Sequence, residues 1–230
     1  MTIHEATDIA VVPAHRERIV RHALPERLFH WVTAGSVLTL LVTSLGPVAG
    51  WPIDWVPVHW IAGVVLTVAI LFHVVRALLR LDIWSITPDR NDIENGWRAV
   101  MLTLGRGGHA PGRPGKYPMM QKLFHWGIAG WIGVLIVTGG LMLAKIDTPF
   151  WQRNPYFLSE FWWGIVYTIH GVFALGMVTL IVMHVYFALR PDKLYLLRSM
   201  ILGWMTRDEY LTDHDPRRWA AAPIDEGRGS

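Results

Sequence analysis

The chain has 230 residues, of which 52% are apolar and 17% charged, with a mean hydropathy of +0.31. That balance is too apolar for an ordinary water-soluble domain, and 13 Trp point to membrane–water interfaces. There is no Cys, which excludes disulfides, thiolate-ligated iron–sulfur clusters, thioether-attached haem and cysteine-ligated zinc. The net charge of +3 would fit a nucleic-acid ligand, but the basic residues are sorted by loop, so a nucleic-acid partner is excluded.

Residues 1–26 read as a basic N-terminal segment and 27–190 as a bundle of transmembrane helices. Four stretches carry no Asp, Glu, Lys or Arg: Leu28 to Ile53, Trp55 to Val75, Leu123 to Ala144 and Phe161 to Leu189. Each is long enough to cross a hydrocarbon layer of about 30 Å, which takes about 20 helical residues. The Gly-Pro-Val-Ala-Gly-Trp-Pro run at 46–52 ends the first span early, and Pro57 marks the start of the second. The expected spans are 28–48, 58–79, 123–144 and 162–189. Between the second and third lies a loop, 80–122. Within it Ile93, Trp97, Val100, Met101 and Leu104 recur at helical spacing, which predicts an interfacial helix over 89–104. The Gly- and Pro-rich basic stretch 105–115 follows. A tail, 191–230, completes the chain, and its last ten residues read as disordered. The fold class expected is an all-α membrane protein, a four-helix bundle in contact with membrane lipid.

Of the 21 Lys and Arg, the first 27 residues carry four, the segment from Arg76 to Lys122 eight and the tail from Arg190 seven. The loop between spans one and two carries none, and the loop between three and four only Lys145 and Arg153. Positive loops stay inside, so both termini and the central loop are expected in the cytoplasm of a bacterium, with the chain multi-pass in the inner membrane. The charged first segment runs straight into a full span, unlike a secretory signal peptide.

An internal duplication underlies the bundle. Leu-Phe-His-Trp at 28–31 returns at 123–126, a shift of 95, whereas His59 and His73 return as His170 and His184, a shift of 111. A two-helix hairpin bearing three His therefore occurs twice in one orientation, which implies a pseudo-twofold axis along the membrane normal. An ionisable side chain within a span is costly and marks function. His59 to His73 and His170 to His184 are each 14 residues, nearly four turns and about 21 Å of rise, so each pair shares one helix face and reaches two depths. Imidazoles facing one another across a bundle fit bis-His haem b. Zinc would need more ligands, and a proton channel would carry intramembrane carboxylates. Gly35, Gly63, Gly130 and Gly171 near these His leave room for a flat cofactor. His59 and His170 are alone at the outer depth and form the first pair. At the inner depth lie His30, His73, His125 and His184, and spacing alone favours His73 with His184. A haem-free anchor or a small transporter leaves the recurrence of His at shared depths unexplained.

Several motifs extend the pattern: Arg27-Leu-Phe-His30-Trp31, His59-Trp-Ile-Ala-Gly63, Gly115-Lys-Tyr-Pro-Met-Met-Gln-Lys122, His170-Gly171, His184-Val-Tyr186, Met200-Ile-Leu-Gly203, Thr206 and Pro216-Arg-Arg-Trp219. Over roughly residues 25–220 the chain resembles the gamma subunit of membrane-bound formate dehydrogenase, a dihaem cytochrome b, and more broadly the b-type cytochromes of hydrogenase and thiosulfate reductase. The resemblance implies two haems b. The outer iron would sit between His59 and His170 and the inner between His30 and His184. His73 and His125 depart from the family pattern, so His73–His184 or a third haem stays open beside that assignment. The resemblance further implies a site for menaquinone or ubiquinone near the cytoplasm, with Lys116, Tyr117, Gln121 and His184 as candidates, Pro118 standing where an amide contact is expected. Arg27, Arg76, Arg80 and Arg190 are candidates for haem propionates. The implied partners are an iron–sulfur subunit and a molybdenum or tungsten catalytic subunit on the periplasmic side. The chain itself would be an electron-transfer subunit contributing a quinone-reduction site, rather than a catalyst of substrate oxidation alone.

Overall fold

A computed structural model describes residues 17–80, 83–106, 110 and 112–223. Four long helices dominate: α1 (Leu24–Val48), α2 (Trp55–Arg80), α4 (Met119–Met142) and α5 (Glu160–Ala188), with α3 (Arg90–Thr103) between the second and third of them. All four are long and apolar enough to cross a membrane. They extend beyond the uncharged runs, because a charged side chain at a helix end reaches the headgroup region while its backbone stays helical. Glu26 and Arg27 lie in the first turn of α1, Lys122 in that of α4 and Glu160 opens α5. Pro25 stands at the start of α1, where its missing N–H costs nothing. Pro47 is accommodated in the last turn, and the chain leaves at Gly50 with φ 79°.

The duplication is visible in the core. Between the helices lie Val37 from α1, Leu66 from α2, Ile132 from α4 and Met177 from α5, all buried. Val37 and Ile132 are related by the shift of 95, and Leu66 and Met177 by the shift of 111. The residues packed around them repeat likewise: Leu40 with Leu135, Leu41 with Ile136, Ile70 with Ile181. Two tryptophans show that the halves interlock. Trp31 of the first half donates Nε1–H to the Met200 carbonyl beyond α5, and Trp126 of the second donates to the Ile86 carbonyl beyond α2, both at 3.2 Å.

One end of the bundle, where α1 and α4 begin and α2 and α5 finish, is covered by a small cap. Strand β1 (Arg18–Val20) pairs antiparallel with β2 (Trp204–Thr206), with Ile19 opposite Met205. Two short helices flank β2, α6 (Leu194–Leu202) and α7 (Arg207–Asp213), the latter capped by Thr206 and Glu209. Helix α6 stops at Gly203 with φ 92°, where a Cβ would lie 2.9 Å from the His22 carbonyl oxygen, so only glycine lets the two segments close. Ile19, Met205 and Tyr210 form the cap's own core, with Tyr195 and Trp219 against them. Arg21, 3% exposed, donates to His214 Nε2 at 2.9 Å and to the Lys116 carbonyl at 3.2 Å. His214 Nδ1–H then donates to the Gly115 carbonyl at 2.7 Å. Burial, reinforced by the Arg21 charge, pushes His214 down to about 4, which keeps it neutral as this relay requires. The residues before 17 and after 223, including most of the tail expected to be disordered, lie outside the described residues, as do 107–109 and 111 of the glycine-rich stretch.

Helix α3 begins at the reciprocal Asp89–Asp92 cap. Its Ile93, Trp97, Val100 and Leu104 point outward, exposed. The opposite face buries Asp92, whose carboxylate meets Lys122 Nζ at 2.7 Å and Arg218 at 3.1 Å. Burial alone would raise the Asp92 carboxyl, but the Lys122 and Arg218 bonds hold it below the usual carboxylate range.

Candidate functional site

All six repeated histidines meet in pairs. Near the loop end, His59 of α2 faces His170 of α5 with ring centres 6.4 Å apart and planes at 67°. Near the capped end, His30 of α1 faces His184 of α5 at 6.1 Å and 48°. Beside it, His73 of α2 faces His125 of α4 at 6.2 Å and 65°. The structure thus sets His184 against His30, and His73 against His125, in place of the His73–His184 pairing that spacing alone favours. A twofold axis permits either a single pair astride it or two copies of a pair off it. The loop-end level adopts the first solution and the capped end the second, since His30–His184 maps onto His125–His73.

The separations identify what these pairs can hold. Imidazole atoms lie about 1.2 Å from the ring centre, given ring bonds of roughly 1.35 Å. Centres 6.1–6.4 Å apart then keep the nitrogens at least about 3.7 Å apart, beyond the roughly 3.2 Å limit of a good hydrogen bond. Two metal–nitrogen bonds of about 2 Å in line place the ring centres near 6.4 Å. No group of three or more His, Cys, Asp or Glu poised for a metal occurs among the described residues. Two protein ligands leave a bare ion underfilled, whereas a metal already held by four in-plane nitrogens of a macrocycle lacks only its two axial ligands. The donor set fits haem.

Around the loop-end pair the tautomers are fixed by the helices. Thr43 Oγ1 lies 2.7 Å from the Thr39 carbonyl and 2.9 Å from His59 Nδ1. Thr138 Oγ1 lies 2.7 Å from the Val134 carbonyl and 2.8 Å from His170 Nδ1. Each hydroxyl gives its hydrogen to its own helix and so accepts Nδ1–H from the imidazole. Nε2 is left with a free lone pair, the state a metal ligand needs. The two threonines are 95 residues apart, so the signal for them was the same repeat that marks the histidines. At the capped end aromatic faces orient the rings: Phe29 stacks on His73 at 4.1 Å and Phe124 on His184 at 5.5 Å, each with planes at 11°. A Cβ at Gly35 or Gly130, each exposed on its helix, would meet nothing within 4 Å.

The quinone candidates divide. Lys116 Nζ lies 3.9 Å from Glu26, one turn before His30 on α1, and 5.3 Å from the Tyr117 ring centre. Glu26 also meets His22 Nδ1 at 3.4 Å. Burial is the main cause that lowers the His22 imidazole, against the Glu26 bond. Lys116, Tyr117 and the His30–His184 pair therefore share one side of the capped end, whereas Gln121 is one turn before His125 on α4. Of the propionate candidates, Arg27 donates to the Ile201 carbonyl and Arg190 pairs with Asp192 at 2.9 Å. Arg76 is half-buried one turn beyond His73, and the Arg80 side chain lies outside the described residues.

Known proteins resemble this chain along most of its length. It is 26% identical over 211 residues to the formate dehydrogenase cytochrome b556 subunit of Haemophilus influenzae, covering 87% of this chain and 82% of that one. The cytochrome b556(fdo) subunit of formate dehydrogenase from Escherichia coli K12 is 26% identical over 212 residues, covering 88% and 92%. A probable Ni/Fe-hydrogenase B-type cytochrome subunit of Bradyrhizobium diazoefficiens is 26% identical over 219 residues, covering 82% and 86%. Residues 21–203, which run from the buried Arg21 of the cap to the Gly203 that closes on it and include all six paired histidines, match the family model as one unit, and the chain belongs to the prokaryotic cytochrome b561 family.

Proposed function

We propose that this membrane cytochrome b is the anchoring electron-transfer subunit of a respiratory oxidoreductase of formate dehydrogenase type. In this reading both termini face the cytoplasm, the loop end faces the periplasm, and residues 27–190 form the transmembrane domain. A molybdenum or tungsten catalytic subunit acts outside, and an iron–sulfur subunit delivers its electrons to the loop end. The outer haem b is held by His59 and His170, the inner one by His30 and His184. Haem b, when bound there, would supply a one-electron couple at each level. The observation that carries the reading is the spacing of the facing imidazoles, too wide for a hydrogen bond and matched to axial ligation at both depths.

The protein's part is to fix these ligands and shield them. Thr43 and Thr138 hold Nδ1–H of His59 and His170, so each Nε2 points into the gap. Apolar residues from all four helices fill the space between the two levels and exclude water. At the cytoplasmic side, reduction of menaquinone or ubiquinone to quinol consumes two electrons and two protons. Lys116 and Tyr117 bind the quinone head beside His184, and the Glu26–His22–Lys116 cluster offers ionisable groups through which protons enter from the cytoplasm. Gln121 would serve a quinone on the α4 side. The outward apolar stripe of α3 rests on the membrane surface, its polar face turned to the cap.

The chain purified from cells with adequate haem supply is expected to give a b-type reduced-minus-oxidised spectrum. Pyridine haemochrome analysis should find at least two haems per chain. His59→Ala and His170→Ala should each remove the same one. A haem-free product would sink the proposal and leave a membrane anchor or small transporter. The Bradyrhizobium relative supports a second reading of the donor, in which a hydrogenase replaces formate dehydrogenase outside; formate against hydrogen as reductant of the haem in native membranes separates the two.

A further inference from the structure

His73 and His125 have no part in the two-haem scheme, and three observations set them apart from ordinary buried histidines. Their ring centres are 6.2 Å apart, between the 6.1 and 6.4 Å of the other two pairs. At that separation no ring nitrogen of one can hydrogen-bond the other, so the pair is not a polar contact between helices. The repeat carries His30 onto His125 and His184 onto His73, so the pair stands where the pseudo-twofold axis carries the inner haem's ligands. Its surroundings repeat as well: Phe29 covers His73 as Phe124 covers His184, both within 11° of parallel.

We infer that His73 and His125 are the axial ligands of a third haem b, lying at the depth of the inner haem and related to it by the pseudo-twofold axis. This inference rests on the haem reading of the other two pairs. The three sites share no side chain: α2 and α5 supply the first, α1 and α5 the second, α2 and α4 the third. Phe29 adjoins His30 in the chain while stacking on His73, and Phe124 adjoins His125 while stacking on His184. The two sites at the capped end are thereby joined by crossed aromatic rings. A haem held by His73 and His125 would supply a second one-electron centre at that depth, on the Gln121 side of the bundle, opposite Lys116 and Tyr117.

The test is haem stoichiometry with a ligand-specific readout on the full chain in detergent. Wild type is expected to hold three haems b. His73→Ala, His125→Ala and the double variant should each hold two, since they empty one site. His73→Met should keep three, with one of them raised in potential, because a thioether replaces one imidazole; this variant also separates ligand loss from misfolding. The low-spin electron paramagnetic resonance signal of one bis-imidazole iron should vanish in the Ala variants and persist for the others. Two haems in wild type, or three that survive His73→Ala and His125→Ala, would overturn the third site and leave the two-haem cytochrome standing. A chain with no haem would instead remove the reading beneath it.

Discussion

The two hairpins agree where the bundle meets in the middle and differ where each meets the rest of the chain. Val37 and Ile132, Leu66 and Met177, Thr43 and Thr138 and the three histidine pairs keep their places in both. Elsewhere volume and charge have been exchanged. Trp131 of α4 lies against Gly176 of α5, giving Nε1–H to the Phe173 carbonyl at 2.7 Å. The same two positions in the first hairpin are Ser36 and Val65, small against larger, with the order reversed. At the foot of each hairpin stands a cation 95 residues from its mate. Arg27 bonds the Ile201 carbonyl of the cap, but Lys122 is buried against Asp92 of α3. Duplicated halves stay alike around what they hold in common and diverge in how they are fastened.

The fastening is where the largest difference should be measured. Asp92→Asn keeps the side-chain acceptor that caps α3 but leaves Lys122, 6% exposed, without its anion. Breaking a buried pair costs about 3–5 kcal/mol. The matching change in the first hairpin, Arg27→Met, removes one charge-assisted bond to a carbonyl, about 1.5–3 kcal/mol. Thermal unfolding in detergent, followed by tryptophan fluorescence, should rank Asp92→Asn below Arg27→Met. An Asp92→Asn midpoint equal to that of the wild type would mean that α3 is held by its cap and by lipid, and the buried pair adds nothing.

Packing comes next. A Cβ at Gly176 would lie 2.3 Å from Trp131 Cζ2, so Gly176→Ala forces a rigid ring to move. Overpacking of this kind costs about 1–3 kcal/mol. Trp131→Phe removes the clashing atoms, and the double variant should recover most of the loss, a coupling that a double-mutant cycle reads directly. Val65→Ala, the corresponding shrinkage in the first hairpin at a 44% exposed position, should change the midpoint by less than either. Additive effects at Gly176 and Trp131 would show that the two do not pack as described.

How much of this was legible in the sequence follows the same division. Four uncharged runs sufficed for four long helices, and the repeat of Leu-Phe-His-Trp sufficed for the two hairpins. Helix ends were less legible, because Glu26, Lys122 and Glu160 are charged yet helical at the membrane's edge. The cap was not legible at all. Strands of three residues, Arg18–Val20 and Trp204–Thr206, carry no periodicity, and Arg21 and His214 find each other only once both termini reach the same end. The histidine depths could be read from 14-residue spacing. Spacing alone could not give the partners at the capped end, because a twofold axis allows pairs astride it or beside it; the resemblance implied His30 with His184, and these two rings do face each other.

The smallest expected effect tests whether the halves are equivalent where they matter most to the cytochrome. Thr43→Val and Thr138→Val keep side-chain volume and remove the acceptor for Nδ1–H of His59 and His170. Thr138→Val leaves the His170 donor unpaired, about 1–3 kcal/mol, and frees that imidazole to rotate or change tautomer, whereas at His59 the Leu40 backbone remains as a partner. Partners of this kind typically account for about 10–100-fold in metal affinity. Both variants should release the outer haem faster to an apo-globin acceptor, each by about that factor, while the haem at His30–His184 stays. If the pair lies astride the axis, both rates should rise, because each threonine supports one of two ligands to a single iron, with the larger rise for Thr138→Val since His59 keeps the Leu40 backbone. A large effect from one and none from the other would place that iron off the axis, and the loop-end level would then be no more symmetric than Ser36 and Trp131.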